Sequence, residues 1–365
     1  MRALRILGSA AAICALAACS ATTGSSGSAP NSAPLIEAPA LTRTSPLTGL
    51  PQPEPKPVLI VKLDNTHNAQ PHAGLKDADV VYIEEVEYGI TRIAAVFSSI
   101  VPKRIGPVRS ARITDIDLTA QYGSPAFAFS GVQRKMWPAI QGAPLIDVSP
   151  NKDAVNYSRD HDRRAPYNYF LNGVDTLKLA TEASSDRDMG FVFSNDVPAG
   201  GSVNTRAKMK WSEASAEFTY DPLTALYKVK LNGYPAEAEE NNAGQNAATV
   251  VIQNVKQTPS KYFDKGGGNT PHAATIGAGT AVVLRDGMSY DVTWSRPSAE
   301  VGTTFTMADG SPMPFKPGQQ WIVLLDKTHP ATVFPLPSPA PTATKNGPSA
   351  QPSARASSGD SILVT

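Results

Sequence analysis

The chain has 365 residues, 41% hydrophobic, 18% charged and 7% aromatic, which excludes a wholly disordered or fibrous protein and leaves room for about two domains. Its 33 Lys and Arg against 32 Asp and Glu leave a net charge of +1. That balance excludes a global field recruiting nucleic acid or an anionic membrane, so any such affinity is local. Two cysteines, Cys14 and Cys19, exclude a disulfide scaffold and a cysteine-rich zinc site.

In chain order, Arg2 and Arg5 precede an apolar run from Ile6 to Leu16, the layout of a signal peptide over residues 1–18. The run is too short to cross a hydrocarbon layer of about 30 Å. It ends Leu16-Ala17-Ala18-Cys19, which resembles a bacterial lipobox. This predicts cleavage before Cys19 and acylation of its thiol, with two or more chains such as palmitate making the anchor stable. An ordinary secretory signal is the alternative. Residues 19–57, rich in Ser, Ala, Pro and Thr, read as a disordered tether. Residues 330–365, with Pro335, Pro337, Pro339, Pro341, Pro348 and Pro352, read as a disordered tail.

The segment 58–199 predicts a mixed α/β domain. Val58 to Leu63, Val80 to Val86 and Ile90 to Ile100 are strands, with Asp64-Asn65 and Tyr88-Gly89 as turns. A helix starts near Ser110 and carries Ile113, Ile116, Ala120 and Gln121 in helical period. Ala126 to Phe129 predicts a buried strand, Gln133 to Ile140 a short helix, and Asn172 the cap of a helix through Ala183. After an interruption at Gly200-Gly201-Ser202, the segment 205–329 predicts a smaller, mostly β domain, a sandwich or barrel. Its hairpin turns are Asn232-Gly233, Asp286-Gly287 and Asp309-Gly310, the last joining Thr303 to Met307 with Trp321 to Leu325.

Residues able to carry chemistry concentrate in the first segment. Arg104, Arg109 and Arg112 surround the predicted helix start, where free N–H groups and guanidinium forks together suit a phosphate or carboxylate. Alternatively Ser110 is only a cap and the arginines pair with Asp115 and Asp117. The run Tyr157 to Asn168 holds Arg159, Asp160, His161, Asp162, Arg163 and Arg164, too many charges to bury. It reads as a site wall, with His161 available for proton transfer, or as a self-paired surface turn. His67 and His72 with Asp64 form a weak metal set, better read as structural. Glu84, Glu85 and Glu87 read as a wet strand face, Ser130-Gly131 lacks the flanking glycines of a nucleophile turn, and Gly266-Gly267-Gly268 reads as a flexible connection.

Gln70-Pro71-His72-Ala73-Gly74-Leu75, Gly89-Ile90-Thr91-Arg92, Ile105 to Arg112, Tyr157-Ser158-Arg159-Asp160 and Arg164 to Asn168 stand in an order that resembles the YerB-like lipoprotein family, domain of unknown function 3048. Trp294-Ser295-Arg296 and Pro317 to Trp321 resemble its C-terminal domain. The chain departs from the family pattern at Tyr167, where His is usual, and at Phe129-Ser130-Gly131. The resemblance implies a membrane-anchored extracytoplasmic protein without an assigned activity, and convergence of Arg109, Arg112, Arg159, Arg164 and Asn168.

Two functions follow as expectations. The favoured one is a non-enzymatic, lipid-anchored module on the outer side of the cell membrane. It binds an anionic cell-wall polymer or an envelope protein through Arg92, Arg109, Ser110, Arg112, Arg159, Arg164 and Asn168, with no cofactor, metal or nucleic acid. The alternative is an envelope hydrolase of phosphodiester or glycosidic bonds, with Asp115 or Asp160 as acid or base.

Overall fold

Alternation of buried residues to both sides of the strands builds the molecule around one sheet. The computed structural model describes residues 43–329 and 331–335, so the readings made on the signal peptide, Cys14, Cys19 and most of the tether and tail lie outside the described residues. The described residues belong to one compact unit. In its N-terminal half, β1 (Leu59–Asp64), β2 (Val80–Glu85) and β3 (Thr91–Phe97) precede α1 (Ile113–Ala120), followed by β4 (Ala126–Ala128), α2 (Trp137–Gln141) and β5 (Ile146–Asp147), with α3 (Gly173–Leu179) last. The short hairpin of β6 (Tyr157–Arg159) and β7 (Tyr169–Leu171) stands apart. The C-terminal half is mainly β.

Among the described residues the principal sheet is 11-stranded. Its order is Thr304–Thr306, Met288–Arg296, Gly277–Arg285, Thr249–Asn254, Gln320–Leu325, β2, β3, β1, β4, β5, with Ser202–Val203 beside Met288–Arg296. Gln320–Leu325 runs parallel to both Thr249–Asn254 and β2 and so joins the two halves. All six of its residues are buried, as a strand covered on both faces requires. A 6-stranded sheet centred on Arg206–Lys210, Ser215–Asp221 and Leu226–Leu231 covers one face. Ala207, Met209, Phe218 and Val229 pack there against Val61, Ile83, Val250 and Trp321. The other face, with Ile60, Tyr82, Val96 and Ile322, lies under α1, α2 and the hairpin Gln257–Phe263/Asn269–Ala273.

Several expectations are corrected. The tether reading ran to residue 57, but Leu47, Ser45 and Gln52 are buried, and Arg43 Nη2 lies 2.5 Å from Asp186 Oδ2. The tail reading began at 330, but Thr332–Phe334 pairs with Arg206–Lys208, so its first residues complete the second sheet. The cap of α1 is Arg112 rather than Ser110, with Asp115 Oδ2 accepting from the Arg112 N–H at 2.6 Å. Asn172 does cap α3, accepting from the Asp175 N–H at 3.2 Å, though the helix stops at Leu179. Asn232-Gly233 and Asp286-Gly287 turn as expected. Asp309-Gly310 does not join its expected strands: Thr304–Thr306 pairs with Met288–Arg296, and Gln320–Leu325 enters the sheet centre. The C-terminal half is therefore no self-contained sandwich or barrel, because its core strand is shared.

Candidate functional site

Burial of charge on one face of the sheet singles out the ends of β1, β2 and β3. Asp64 and Arg92 are register partners across β1 and β3, as are Glu84 and Arg92 across β2 and β3. Lys62 lies one pleat back on the same face. Lys62, fully buried, bonds to Glu84 and lies 2.7 Å from Asp115 Oδ1. The sequence reading passed over Lys62, although a lone lysine inside the apolar run Leu59-Ile60-Val61-Lys62-Leu63 marks a buried charge that needs partners.

The segment 106–112 crosses this strand end as an extra, partly paired strand. Asp64 N–H donates to Pro107 O at 3.0 Å, Arg109 N–H to Lys62 O at 2.8 Å and Ala111 N–H to Gly131 O at 3.0 Å. Ser130 N–H returns a bond to Arg109 O at 2.9 Å. Ser130-Gly131 is thus a clasp for the arginine segment. Arg109 Nε lies 2.7 Å from Asp64 Oδ2 and Arg112 Nη2 2.7 Å from Glu87 Oε2. Burial pushes the Glu87 carboxyl up, but the Arg112 guanidinium and the Thr270 hydroxyl outweigh it and hold it below the usual carboxylate range.

Arg92 is different. Only 4% exposed, it donates from Nη1 to Ser110 O at 2.8 Å, while its Nε has no partner and, among the described residues, no carboxylate pairs with it. Glu84 is engaged by Lys62, and Asp64 by Arg109 and Thr66. Burial, then the neighbouring Arg112 and Arg109 charges, push its guanidinium down to about 9, so it stays protonated at neutral pH.

A half-open cavity of about 320 Å³ lies over these groups. Arg92, Arg109, Ser110, Arg112 and Glu87 form one side, Val132 and Met136 an apolar corner, and Tyr262, Phe263, Asp264, Lys265 and Thr270 the other side. That second wall is the hairpin ending in Gly266-Gly267-Gly268. Its tip is pinned rather than loose: Tyr88 Oη donates to Asp264 Oδ1 at 3.0 Å, and Gly268 N–H donates to Tyr88 Oη at 2.8 Å. A Cβ on Gly268 would lie 2.5 Å from Tyr88 Cζ, so a larger residue there would displace the Tyr88 ring.

Four of the seven expected binding residues, Arg92, Arg109, Ser110 and Arg112, therefore line one cavity. Arg159, Arg164 and Asn168 do not. Arg159 bonds to Asn168 Oδ1 at 3.0 Å and lies over the Tyr169 ring, while Arg164 lines a separate hollow with Asn68, Gln70 and Tyr167. The charged loop is held by partners away from the cavity: Asp160 by Arg104, and Arg163 by Ala69 O, Pro71 O and Glu239. Nor do the expected acids face the cavity: Asp115 is fully buried against Lys62, and Asp160 pairs with Arg104 at 2.6 Å. His67 stacks on Tyr234, and His72 is buried with Nε2 2.6 Å from Asp64 O. Glu85 faces His329 at 3.5 Å, away from Glu84. The hairpin wall was not foreseen, since its contribution depends on long-range packing of Ala273 N–H against the Thr114 hydroxyl, 3.1 Å apart.

The family described as Protein of unknown function (DUF3048), N-terminal domain, matches residues 47–187, and its C-terminal domain matches residues 207–322. A relative in Bacillus subtilis (strain 168), named "Putative lipoprotein YerB", is 26% identical over 304 residues, 79% of this chain and 88% of the relative. A crystal structure of the YerB protein from Bacillus subtilis superposes with a TM-score of 0.67 at 20% identity, covering 80% of this chain and 99% of that one, a likeness of fold. No helix among the described residues is long and apolar enough to cross a membrane.

Proposed function

Since the chain belongs to the DUF3048 family of unknown function and carries both its N- and C-terminal domains, we propose that it is a lipid-anchored envelope protein whose cavity takes an oxyanion-bearing component of the cell envelope. The observation that carries this reading is Arg92: a buried guanidinium that, among the described residues, no carboxylate pairs with, lining a cavity together with two further arginines. A buried charge left unpaired costs several kcal/mol, and an incoming anion removes that cost. The mixed wall of Tyr262, Val132 and Met136 suits an anionic group carried on a larger organic body, such as a unit of a cell-wall polymer. Hydrolysis has less support, because neither Asp115 nor Asp160 reaches the cavity. The lipobox-like Leu16-Ala17-Ala18-Cys19 and the name of the Bacillus relative support anchoring through Cys19 outside the cytoplasm.

The test is thermal unfolding against rising sulfate or a short anionic wall polymer. At a hundredfold excess over Kd, binding to the native state adds about 2.7 kcal/mol, roughly 4–5 °C in Tm for a chain of this size. Arg112→Gln should weaken the effect; a Tm indifferent to every anion overturns the reading. Mass spectrometry of the mature amino terminus, with Cys19→Ala as control, tests the anchor.

A further inference from the structure

Beneath the cavity the charges balance. Lys62, Arg92, Arg109 and Arg112 supply four cations; Asp64, Glu84, Glu87 and Asp115 supply four carboxylates. All sit on or against one face of the sheet end. An anion entering beside Arg92 therefore leaves a buried cluster with surplus negative charge, in surroundings where such a surplus is costly.

Glu84 is the member placed to absorb it. It lies directly across the strands from Arg92 and is 1% exposed; one carboxylate oxygen bonds to Lys62 while Oε2 has no partner. An unpartnered buried carboxylate oxygen is a position where a proton can be added without breaking a bond. We propose that anion binding in the Arg92 cavity is coupled to uptake of one proton on Glu84, so that the site takes an anion and a proton together. This rests on the anion-site reading and adds its regulation.

Each charged group facing Glu84 is already committed to another partner. Lys62 from β1 is shared with Asp115 from α1, and Arg112 from the crossing segment is held by Glu87. Tyr82, on the same strand face, bonds to Tyr122 at 2.9 Å, and Leu324 on the neighbouring strand is apolar. The hairpin sends Thr270 to Glu87, and its His272 pairs with Asp117 at 2.9 Å, farther along α1. Burial, with the Asp115 charge adding to it and Lys62 opposing, already pushes the Glu84 carboxyl up to about 7. A bound anion is one more negative charge and pushes it higher still. The linkage sign follows: affinity is greatest below pH 7 and falls, by up to about tenfold per pH unit, as pH rises from the unbound to the bound value.

Sulfate is a suitable probe because its own charge is constant across this range. Titration calorimetry of the full chain at pH 7.5 in Bis-Tris and in imidazole should give heats that differ by the proton taken up. Glu84→Gln, which carries the neutral form permanently, should bind sulfate at pH 8 as tightly as the unaltered protein does at pH 6, with no buffer-dependent heat. Should sulfate bind without proton uptake, or Glu84→Gln keep the pH dependence, the coupling is overturned while the anion site stands. Absence of sulfate binding at any pH removes both. His272→Gln should leave the pH dependence in place; its loss there would assign the proton to His272 instead.

Discussion

Arg92→Met is expected to raise the Tm of the anion-free protein and to abolish its stabilisation by anions. Both effects have one cause. In the free protein the guanidinium is buried among Arg109 and Arg112 with one bond, to Ser110 O, and one unpartnered nitrogen. Replacing a buried guanidinium that lacks a carboxylate partner by an apolar side chain of similar length removes an unsatisfied buried donor that costs about 1–3 kcal/mol, and each kcal/mol moves Tm by roughly 1.5–2 °C at this chain length. With an anion present the unaltered protein gains stability and the variant does not, since a hydrogen bond to a charged group contributes about 1.5–3 kcal/mol, or about 10- to 150-fold in Kd. Differential unfolding curves with and without sulfate check both halves. A variant that loses stability in the absence of anion would show that Arg92 is structural.

Lys62→Met has the opposite expected outcome: a loss of about 3–5 kcal/mol, because Glu84 and Asp115 are left buried without their shared cation. The loss depends on pH. A carboxyl raised in the folded state contributes most below its unfolded value and loses that contribution as pH rises through its folded value. Glu84 already titrates near 7, and without Lys62 it titrates higher. The variant should therefore be closest to the unaltered protein at pH 5 and farthest from it at pH 8. Combining Lys62→Met with Glu84→Met should recover part of the stability. Urea denaturation at the two pH values measures this, and an equal loss at both would exclude the charge account.

Local signals were readable in the residues themselves. Asn172 capped its helix, Asn232-Gly233 and Asp286-Gly287 turned their hairpins, and β1 to β4 formed within one to three residues of expectation, since these depend on neighbours in sequence. The arginine segment was readable for half the site: Arg109, Ser110 and Arg112 travel together, and Arg92 lies on the adjoining strand. Arg159 and Arg164 went astray because their loop is anchored elsewhere, by Asn168 and Tyr169 within it and by Arg104, Ala69, Pro71 and Glu239 from distant segments, which composition does not reveal. Lys62 was visible as a charge in an apolar run and was passed over. The place of Gln320–Leu325 was a matter of topology. Its unbroken apolar run was the available clue, since a strand with one wet face alternates and this one does not.

That same strand has a consequence for how the molecule is made. Nearly the whole polypeptide must emerge before residues 320–325 can slot between the two halves, so β2 and Thr249–Asn254 wait with bare edges until the closing piece arrives. Exposed edges of this kind invite pairing with other chains, and contacts so distant in sequence form slowly. The two domains are therefore better understood as halves of one zip than as beads on a string, and cutting the gene between them yields two incomplete pieces.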